Sequence, residues 1–403
     1  MKTSLFLFAL LGLGGSLSLT SCQKEPESAV VGTGNPTNTG NTGGSQTGTQ
    51  TGTPTIRVQT LLTNYEIIWG MDFLPNGDLL FTERKGRLFR YAGGTATELT
   101  GLPTDINISG QGGLLDLRVH PAYATNGWIY CSYSSSPAGS RATQLNLIRF
   151  KINANRITNL ETIFKTSATN TWYGHYGARI EFDKNGLLYF SVGEGGPSSY
   201  GGASSPNQNA QNVKTEWGKI HRMTDSGQVP ADNPTLPGNT TPTTIFSYGH
   251  RNPQGLALNP FTGDLWETEH GPKGGDEVNI IQSAKNYGWP LVSYGINYDG
   301  TPISTSPTRD GIQAPVHTWT PSIGTCGLAF ITSDKFKDWK GNLVTGSLPL
   351  NYLSRCAISN NKVVSEAKLL ENQGRIRNVK QGPDGSLYVS IEGPGRIVQL
   401  IPE

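Results

Sequence analysis

Charge is scarce in this chain. Of 403 residues only 15% are Asp, Glu, Lys or Arg, and the net charge is +2. That excludes the basic field on which nucleic-acid binding depends. Cysteine is scarcer still, at Cys22, Cys131, Cys326 and Cys356 alone. No Cys-x-x-Cys or Cys-x-x-Cys-His spacing occurs, which argues against a thiolate metal site or covalent haem. Cys131 follows Tyr130 in a strand pattern and reads as a small buried hydrophobe. Whether Cys326 and Cys356 pair is left open by the sequence. Long amphipathic helical patterns are almost absent, and no membrane-spanning apolar run follows the first 22 residues. There is no Gly-x-Ser-x-Gly elbow and no Gly-x-Gly-x-x-Gly between a strand and a helix. Nucleophile-elbow hydrolysis and nicotinamide chemistry are therefore not expected.

The amino end is set apart by composition. Lys2 precedes an apolar run over residues 5–13, and the segment closes on Leu19-Thr20-Ser21-Cys22. This resembles a bacterial lipoprotein signal, in which the Cys is lipidated and becomes the new N-terminus; the alternative is an ordinary secretory leader with a chance cysteine. Residues 23–55 are Gly, Thr, Asn, Ser and Gln with few large apolar groups. Such a stretch cannot bury enough surface to order, and as a tether it reaches on the order of 30 Å. The expected organisation is a signal over 1–22, a linker over 23–55 and one catalytic domain over 56–403. The expected location is the bacterial cell envelope, with only the lipid in the membrane.

What the chain has in quantity is glycine, 51 residues, six of them in a repeated setting. The copies are Pro75-Asn76-Gly77-Asp78-Leu79, Asn126-Gly127-Trp128-Ile129-Tyr130, Asn185-Gly186-Leu187-Leu188-Tyr189, Thr262-Gly263-Asp264-Leu265-Trp266, Lys340-Gly341-Asn342-Leu343-Val344 and Pro383-Asp384-Gly385-Ser386-Leu387. Asn-Gly and Asp-Gly favour tight turns because both positions tolerate positive φ. Six turns opening onto apolar strands predict six similar units. The intervals are uneven, shortest from Gly341 to Gly385 and longest from Gly263 to Gly341. Regular hairpins with irregular loops predict an all-β fold, a six-bladed β-propeller of four-stranded antiparallel sheets with a site on one face. Pairing of the lone strand at Ile56–Leu61 into the last blade would close the ring.

Four loop segments are polar enough to carry chemistry: 110–116, 172–179, 247–255 and 267–279, the last running on to 286–290. Three of the six histidines, His175, His250 and His270, fall in them. An imidazole beside glycine and aromatics is either a general base or a structural hydrogen-bond partner. Arg251-Asn252 suits an anionic or quinone-like oxygen, or else clamps a loop through backbone carbonyls. Asp276, Glu277 and the carbonyls around Gly271-Pro272 are hard oxygen donors that suit Ca²⁺, or a solvated acidic loop.

Taken together, Ser247-Tyr248-Gly249-His250-Arg251-Asn252-Pro253-Gln254-Gly255, Trp266 to Glu277, Asn286-Tyr287-Gly288-Trp289-Pro290, Asn209-Ala210-Gln211 and Trp217 to Arg222 resemble the soluble PQQ-dependent aldose sugar dehydrogenases, over nearly all of residues 60–400. The resemblance implies a calcium-dependent quinoprotein that oxidises the anomeric carbon of aldoses to lactones and passes electrons to a further acceptor. It implies His175 as the catalytic base and Arg251 as the cation at the quinone oxygen. Gln111, Asn252, Tyr298, Arg375 and Arg377 are implied as cofactor or substrate contacts. Gly271 and Pro272 carbonyls would hold the Ca²⁺ at the quinone, and Glu277 and Tyr287 match positions associated with a second calcium. The chain departs from the pattern at Pro349, where a Lys is usual, and at Glu194 and Glu392, where Asp is usual. A glycan-binding propeller that has lost its cofactor is the alternative reading. A metal-dependent lactonase would need carboxylates converging on the channel, and no such set is visible.

Overall fold

The computed structural model describes residues 55–196 and 206–403. The leader, most of the linker and Cys22 lie outside the described residues. Within them the strands form six four-stranded antiparallel sheets, the blades of a β-propeller. Blade 1 is Ile68–Phe73, Leu79–Glu83, Arg87–Ala92 and Thr95–Leu99. The first strands of the other five blades are Leu114–Val119, Gly177–Phe182, Pro253–Leu258, Thr325–Phe330 and Ile376–Gln381. Each of these innermost strands packs beside the next, and the sixth returns to the first. Blade 6 takes its outermost strand from the other end of the chain: Ile56–Tyr65 pairs with Gly395–Pro402, from Ile56↔Pro402 to Tyr65↔Gly395. The expected closure is present, and it removes an exposed edge.

Position in the blade sets composition. The second strands Leu79–Glu83, Leu188–Val192 and Leu265–Glu269 are buried at every residue because sheets cover both faces. The outermost strands Thr95–Leu99 and Lys362–Leu369 are mostly exposed or half-buried and correspondingly polar. Apolar side chains fill the layers between blades, as with Leu80, Leu88, Leu117, Ile129, Ile148 and Phe150 between blades 1 and 2.

All six glycine turns occupy one equivalent position, between the first and second strands of a blade. Their φ values run from 69° to 90°. A Cβ on Gly77, Gly186 or Gly263 would meet nothing within 4 Å, so backbone conformation, not space, requires glycine there. The turns therefore share one face of the ring. The segments that enter the first strands and leave the second strands share the other.

At that opposite end every blade has a β-bulge between its first and second strands. The unpaired positions include Trp69, Asp116, Arg179, Gln254 and Arg377. A bulge re-aims side chains, and these converge on the axis. Arg179 of blade 3 touches all five other blades. It stacks on Trp69 at 3.9 Å and pairs with Asp116 Oδ1 at 3.1 Å. It donates to Gln254 O at 2.7 Å, to Cys326 Sγ at 3.5 Å and to Arg377 O at 3.0 Å. Hydroxyls of the second strands fasten neighbouring blades. Thr82 Oγ1 accepts from Gly70 N and donates to Leu115 O; Ser132 Oγ accepts from Asp116 N and donates to Ala178 O; Ser191 Oγ accepts from Arg179 N and donates to Pro253 O. Cys131, Cys326 and Cys356 are buried and free, so the open question of a Cys326–Cys356 disulfide is answered in the negative.

Arg179→Met should cost about 3–5 kcal/mol in urea unfolding, the penalty for leaving the buried Asp116 carboxylate without its cation. Arg179→Met with Asp116→Asn should recover a large part of that loss. Equal destabilisation of single and double variants would deny the pair this role.

Candidate active site

The loops that open onto the bulged ends of blades 2, 3 and 4 interlock. Asn170 ties its own loop, with Oδ1 accepting from Trp172 N and Tyr173 N and Nδ2 donating to Gly174 O. This holds Tyr173 at φ 57° and His175 at φ 41°, left-handed values that a non-glycine residue keeps only when its surroundings impose them. Gln111 closes the junction, its N–H donating to Tyr173 O at 2.7 Å and its Oε1 accepting from His175 N at 3.1 Å.

His175 is buried, and its Nδ1 donates to Glu194 Oε1 at 2.8 Å. A carboxylate only accepts, so the proton sits on Nδ1 and Nε2 carries the lone pair. Burial holds the His175 pKa below its ordinary value; Glu194 opposes that shift and Arg251 adds to it. The site therefore has a neutral, oriented imidazole able to take a proton at Nε2. Glu194 is fixed in turn. Its N–H donates to Arg251 O and its carbonyl accepts from Asn209 Nδ2. Lys219, fully buried, props this segment by donating to the carbonyls of Asn209, Ala210 and Trp217 at 2.7, 3.2 and 2.5 Å.

Arg251 stands on blade 4. Its N–H donates to Glu269 Oε2, its Nη1 donates to His270 O at 3.2 Å and Gly271 O at 2.9 Å, and its guanidinium lies 5.1 Å from the Trp289 ring. Of the two sequence readings of Arg251 the carbonyl clamp is present, and its buried Nε has no partner. Asn252 is fully buried, with Oδ1 accepting from Gly177 N and Nδ2 left without a partner. His270 Nε2 donates to Thr325 O. Burial, then Arg251 and His175, lower its pKa to about 3, so it is a neutral structural histidine.

Asp276 shapes the Gly271-Pro272 turn. Its Oδ1 accepts from Gly271 N and its Oδ2 from Gly324 N and Thr325 N. Arg251, Gly271, Pro272, Glu277, Tyr287 and Trp289 line one small hollow. The Tyr287 hydroxyl donates to Ile280 O at 2.6 Å and accepts from Gln282 N at 2.9 Å. Arg375 and Arg377 meet on the same carboxylate, Glu392, at 2.8 and 2.6 Å. The Arg377 side chain is 12% exposed and also donates to Gln254 Oε1, whereas the Arg375 side chain is 37% exposed. Tyr298 stands apart, 52% exposed in the turn closed by Gly300 N to Asn297 O. A roomier hollow of about 310 Å³ between Leu74, Asn76, Tyr123 and Ile152 lies at the glycine-turn face; its one charged lining group, Arg90, is held by Asp78.

The residues brought together are therefore His175, Gln111, Arg251, Asn252, Gly271 and Pro272, with Arg375 and Arg377 at the mouth of blade 6. Sequence reading did not foresee the parts taken by Asn170, Glu269 and Lys219, because each acts on another residue's backbone. Glu267 and Glu269, read from the sequence as part of a polar loop, instead lie in the fully buried strand Leu265–Glu269.

Residues 65–399 match the glucose/sorbosone dehydrogenase family. Aldose sugar dehydrogenase YliI of Escherichia coli is 36% identical over 356 residues, covering 86% of this chain and 93% of that protein. The crystal structure of the soluble aldose sugar dehydrogenase of Escherichia coli in its apo form has a TM-score of 0.80 at 35% identity, covering 87% of this chain and 100% of the other. The PQQ-bound aldose sugar dehydrogenase of Streptomyces coelicolor has a TM-score of 0.68 at 27% identity, with 87% and 100% covered. On its fold, on the junction of His175 with Arg251 and on these matches, the chain belongs to the glucose/sorbosone dehydrogenase family.

Proposed function

We propose that this protein is a PQQ-dependent aldose dehydrogenase that uses Ca²⁺ and converts the sugar to its lactone. The observation that supports this most is the pairing of a buried imidazole, its Nδ1 proton fixed on Glu194, with a guanidinium that keeps a buried, unpartnered nitrogen. The residues present fit the group. Arg251 Nε and Asn252 Nδ2 are buried donors without partners. Gly271 and Pro272 offer hard carbonyl oxygens, and Arg375 offers a partly exposed cation. Gln111, beside His175, and the exposed Tyr298 remain proposed contacts. When bound, the quinone would supply the electrophilic carbon that accepts hydride.

The chain's own groups account for the rest. The anomeric carbon gives up its hydrogen with two electrons, and its hydroxyl proton passes to His175 Nε2, leaving a lactone carbonyl. Glu194 keeps the imidazole in the correct tautomer and stabilises the imidazolium that forms. Arg251 is placed to stabilise negative charge on an oxygen acceptor. Pro349 supplies no cation. It packs against Gly324, whose N–H is held by the same Asp276 that holds Gly271. That substitution is what favours the second reading, a glycan-binding propeller without the quinone. The envelope location and the Cys22 lipid belong to the same proposal, and loss of labelled-lipid incorporation in Cys22→Ala would test them.

Cofactor-free protein given PQQ and Ca²⁺ should reduce a dye with several aldoses and keep quinone absorbance through gel filtration. No retained quinone and no dye reduction would leave the binding-module reading. His175→Gln should lower turnover by about 10²–10⁴-fold, the usual share of a general base, with quinone uptake unchanged. Full activity in that variant would remove the base assignment.

The acid limb of the turnover–pH profile should lie below pH 6.5, because the net effect of burial and neighbours is to lower the His175 pKa. Glu194→Gln removes a group that raises that pKa, so the limb should move further to the acid side as turnover falls. An unmoved limb would show that another group titrates there.

A further inference from the structure

One buried cation has no part in the chemistry described so far. Lys219 opens the third strand of blade 3, Lys219–Met223, in register with Val192 on one side and Tyr248 on the other. Its side chain is fully buried. No carboxylate pairs with it among the described residues. Glu216 is the one charged group that favours its charge, and Glu216 Oε2 is taken up by the N–H and hydroxyl of Ser167. An ammonium buried without a counter-ion is costly, and its hydrogen bonds must offset that cost.

Those bonds go to main-chain carbonyls alone. Lys219 Nζ donates to Asn209 O at 2.7 Å, Ala210 O at 3.2 Å and Trp217 O at 2.5 Å. An ammonium has three hydrogens, and here it meets three acceptors. A neutral amine has two, and would turn its lone pair on the third carbonyl. Burial draws the Lys219 pKa down to about 7, with Glu216 opposing, so the matched form is the main one below that pH.

The backbone gathered in this way carries both sides of the candidate site. Asn209 Nδ2 donates to Glu194 O at 3.0 Å, and Glu194 holds His175 Nδ1. The Ala210 carbonyl that takes a Lys219 hydrogen also accepts from Gly249 N at 2.9 Å, two residues before Arg251. Gly218 donates its N–H to Gly193 O at 2.8 Å and accepts from His250 N at 3.2 Å. It has φ 74°, and a Cβ there would lie 2.5 Å from Ala210 Cα, so the two ends of the segment are in contact. Gln211 Nε2 reaches Trp289 O at 2.7 Å, and the Trp289 ring lies by the Arg251 guanidinium. The arm of the imidazole and the arm of the guanidinium thus meet on the main chain around one ammonium.

We propose that Lys219 is a positioning residue for the oxidation: its ammonium draws the carbonyls of Asn209, Ala210 and Trp217 together and so sets the His175–Glu194 pair against Arg251. Being fully buried, it acts through Asn209 and Gly249 and not on the sugar. For its effect on turnover this inference rests on the dehydrogenase reading; for the joining of the two arms it does not. Carbonyl oxygens are also the ligands that replace the hydration shell of a monovalent cation. A small cation can therefore stand in for the ammonium once the side chain is cut back.

The test compares the full-length parent with Lys219→Met, which keeps the bulk of the stem without its charge, and Lys219→Ala, which opens space at the carbonyls. Turnover of an aldose with PQQ and Ca²⁺ is measured on the acid side of neutrality. Both variants should lose about 10- to 100-fold in kcat, the scale of a 1 Å misplacement, with little change in the sugar KM. Ammonium chloride should recover part of kcat in Lys219→Ala, and sodium chloride at the same ionic strength should not. Amide hydrogen exchange on quinone-free protein should show residues 193–194 and 249–251 losing protection together in Lys219→Met, while Leu79–Glu83 of blade 1 keeps its own. A kcat in Lys219→Met within about twofold of the parent would overturn the proposal. So would a loss of protection as large in blade 1 as at the site, which would make Lys219 a support of the whole fold. A parent without turnover would end the dehydrogenase reading, and exchange alone would then decide whether Lys219 joins the two arms.

Discussion

One guanidinium holds the ring at its axis. A propeller leaves a channel where six sheets meet, and here Arg179 fills it with contacts to five blades that are not its own. A charge buried there is tolerable because Asp116 pairs with it and backbone carbonyls take its remaining hydrogens. Removing it would leave a hole and a stranded carboxylate as well as a broken bond. The site depends on this contact. Ala178 and Arg179 form the bulge three and four residues beyond His175, and Arg377 O and Gln254 O, which bind the same guanidinium, lie on the strands that carry the Glu392–arginine cluster and follow Arg251.

Rigidity at the axis is matched by cross-bracing at the mouth. Gln111 of one blade holds His175 of the next, Asn252 of a third holds Gly177, and Asp276 ties Gly271 to Gly324 in a fourth. Each of these bonds runs from a side chain on one blade to a main-chain amide on another or on an adjoining loop. Main-chain amides move less freely than side chains, so a site geometry that rests on them is pre-organised.

The architecture was legible because its signals are local. A glycine at φ near 80° after Asn or Asp leaves a mark in the letters, and six marks gave six blades at equivalent positions. The lone strand at Ile56 was legible for the same reason, as an apolar alternation without a neighbour in sequence. His175, Arg251 and Gly271 were reached through the resemblance, and the fold does bring them to one end. What stayed hidden depends on register. Nothing in the letters sets Glu267 opposite Asn279 or Glu269 opposite Glu277, since a shift of one residue would place them on different faces. Arg179 was hidden similarly. Its reach to five blades follows from six bulges, and each bulge is a mismatch between two strands.

The closing strand also fixes a direction. Ile56–Tyr65 runs antiparallel to Gly395–Pro402, meeting Gly395, near Glu392, at its far end and Pro402 at its start. Its first residue therefore stands on the side of the hairpin glycines, and its last on the side of the candidate site. The described chain thus enters the ring at the face of the glycine turns and crosses to the loop face within its first strand, so one hairpin edge spans the depth of the propeller from one face to the other.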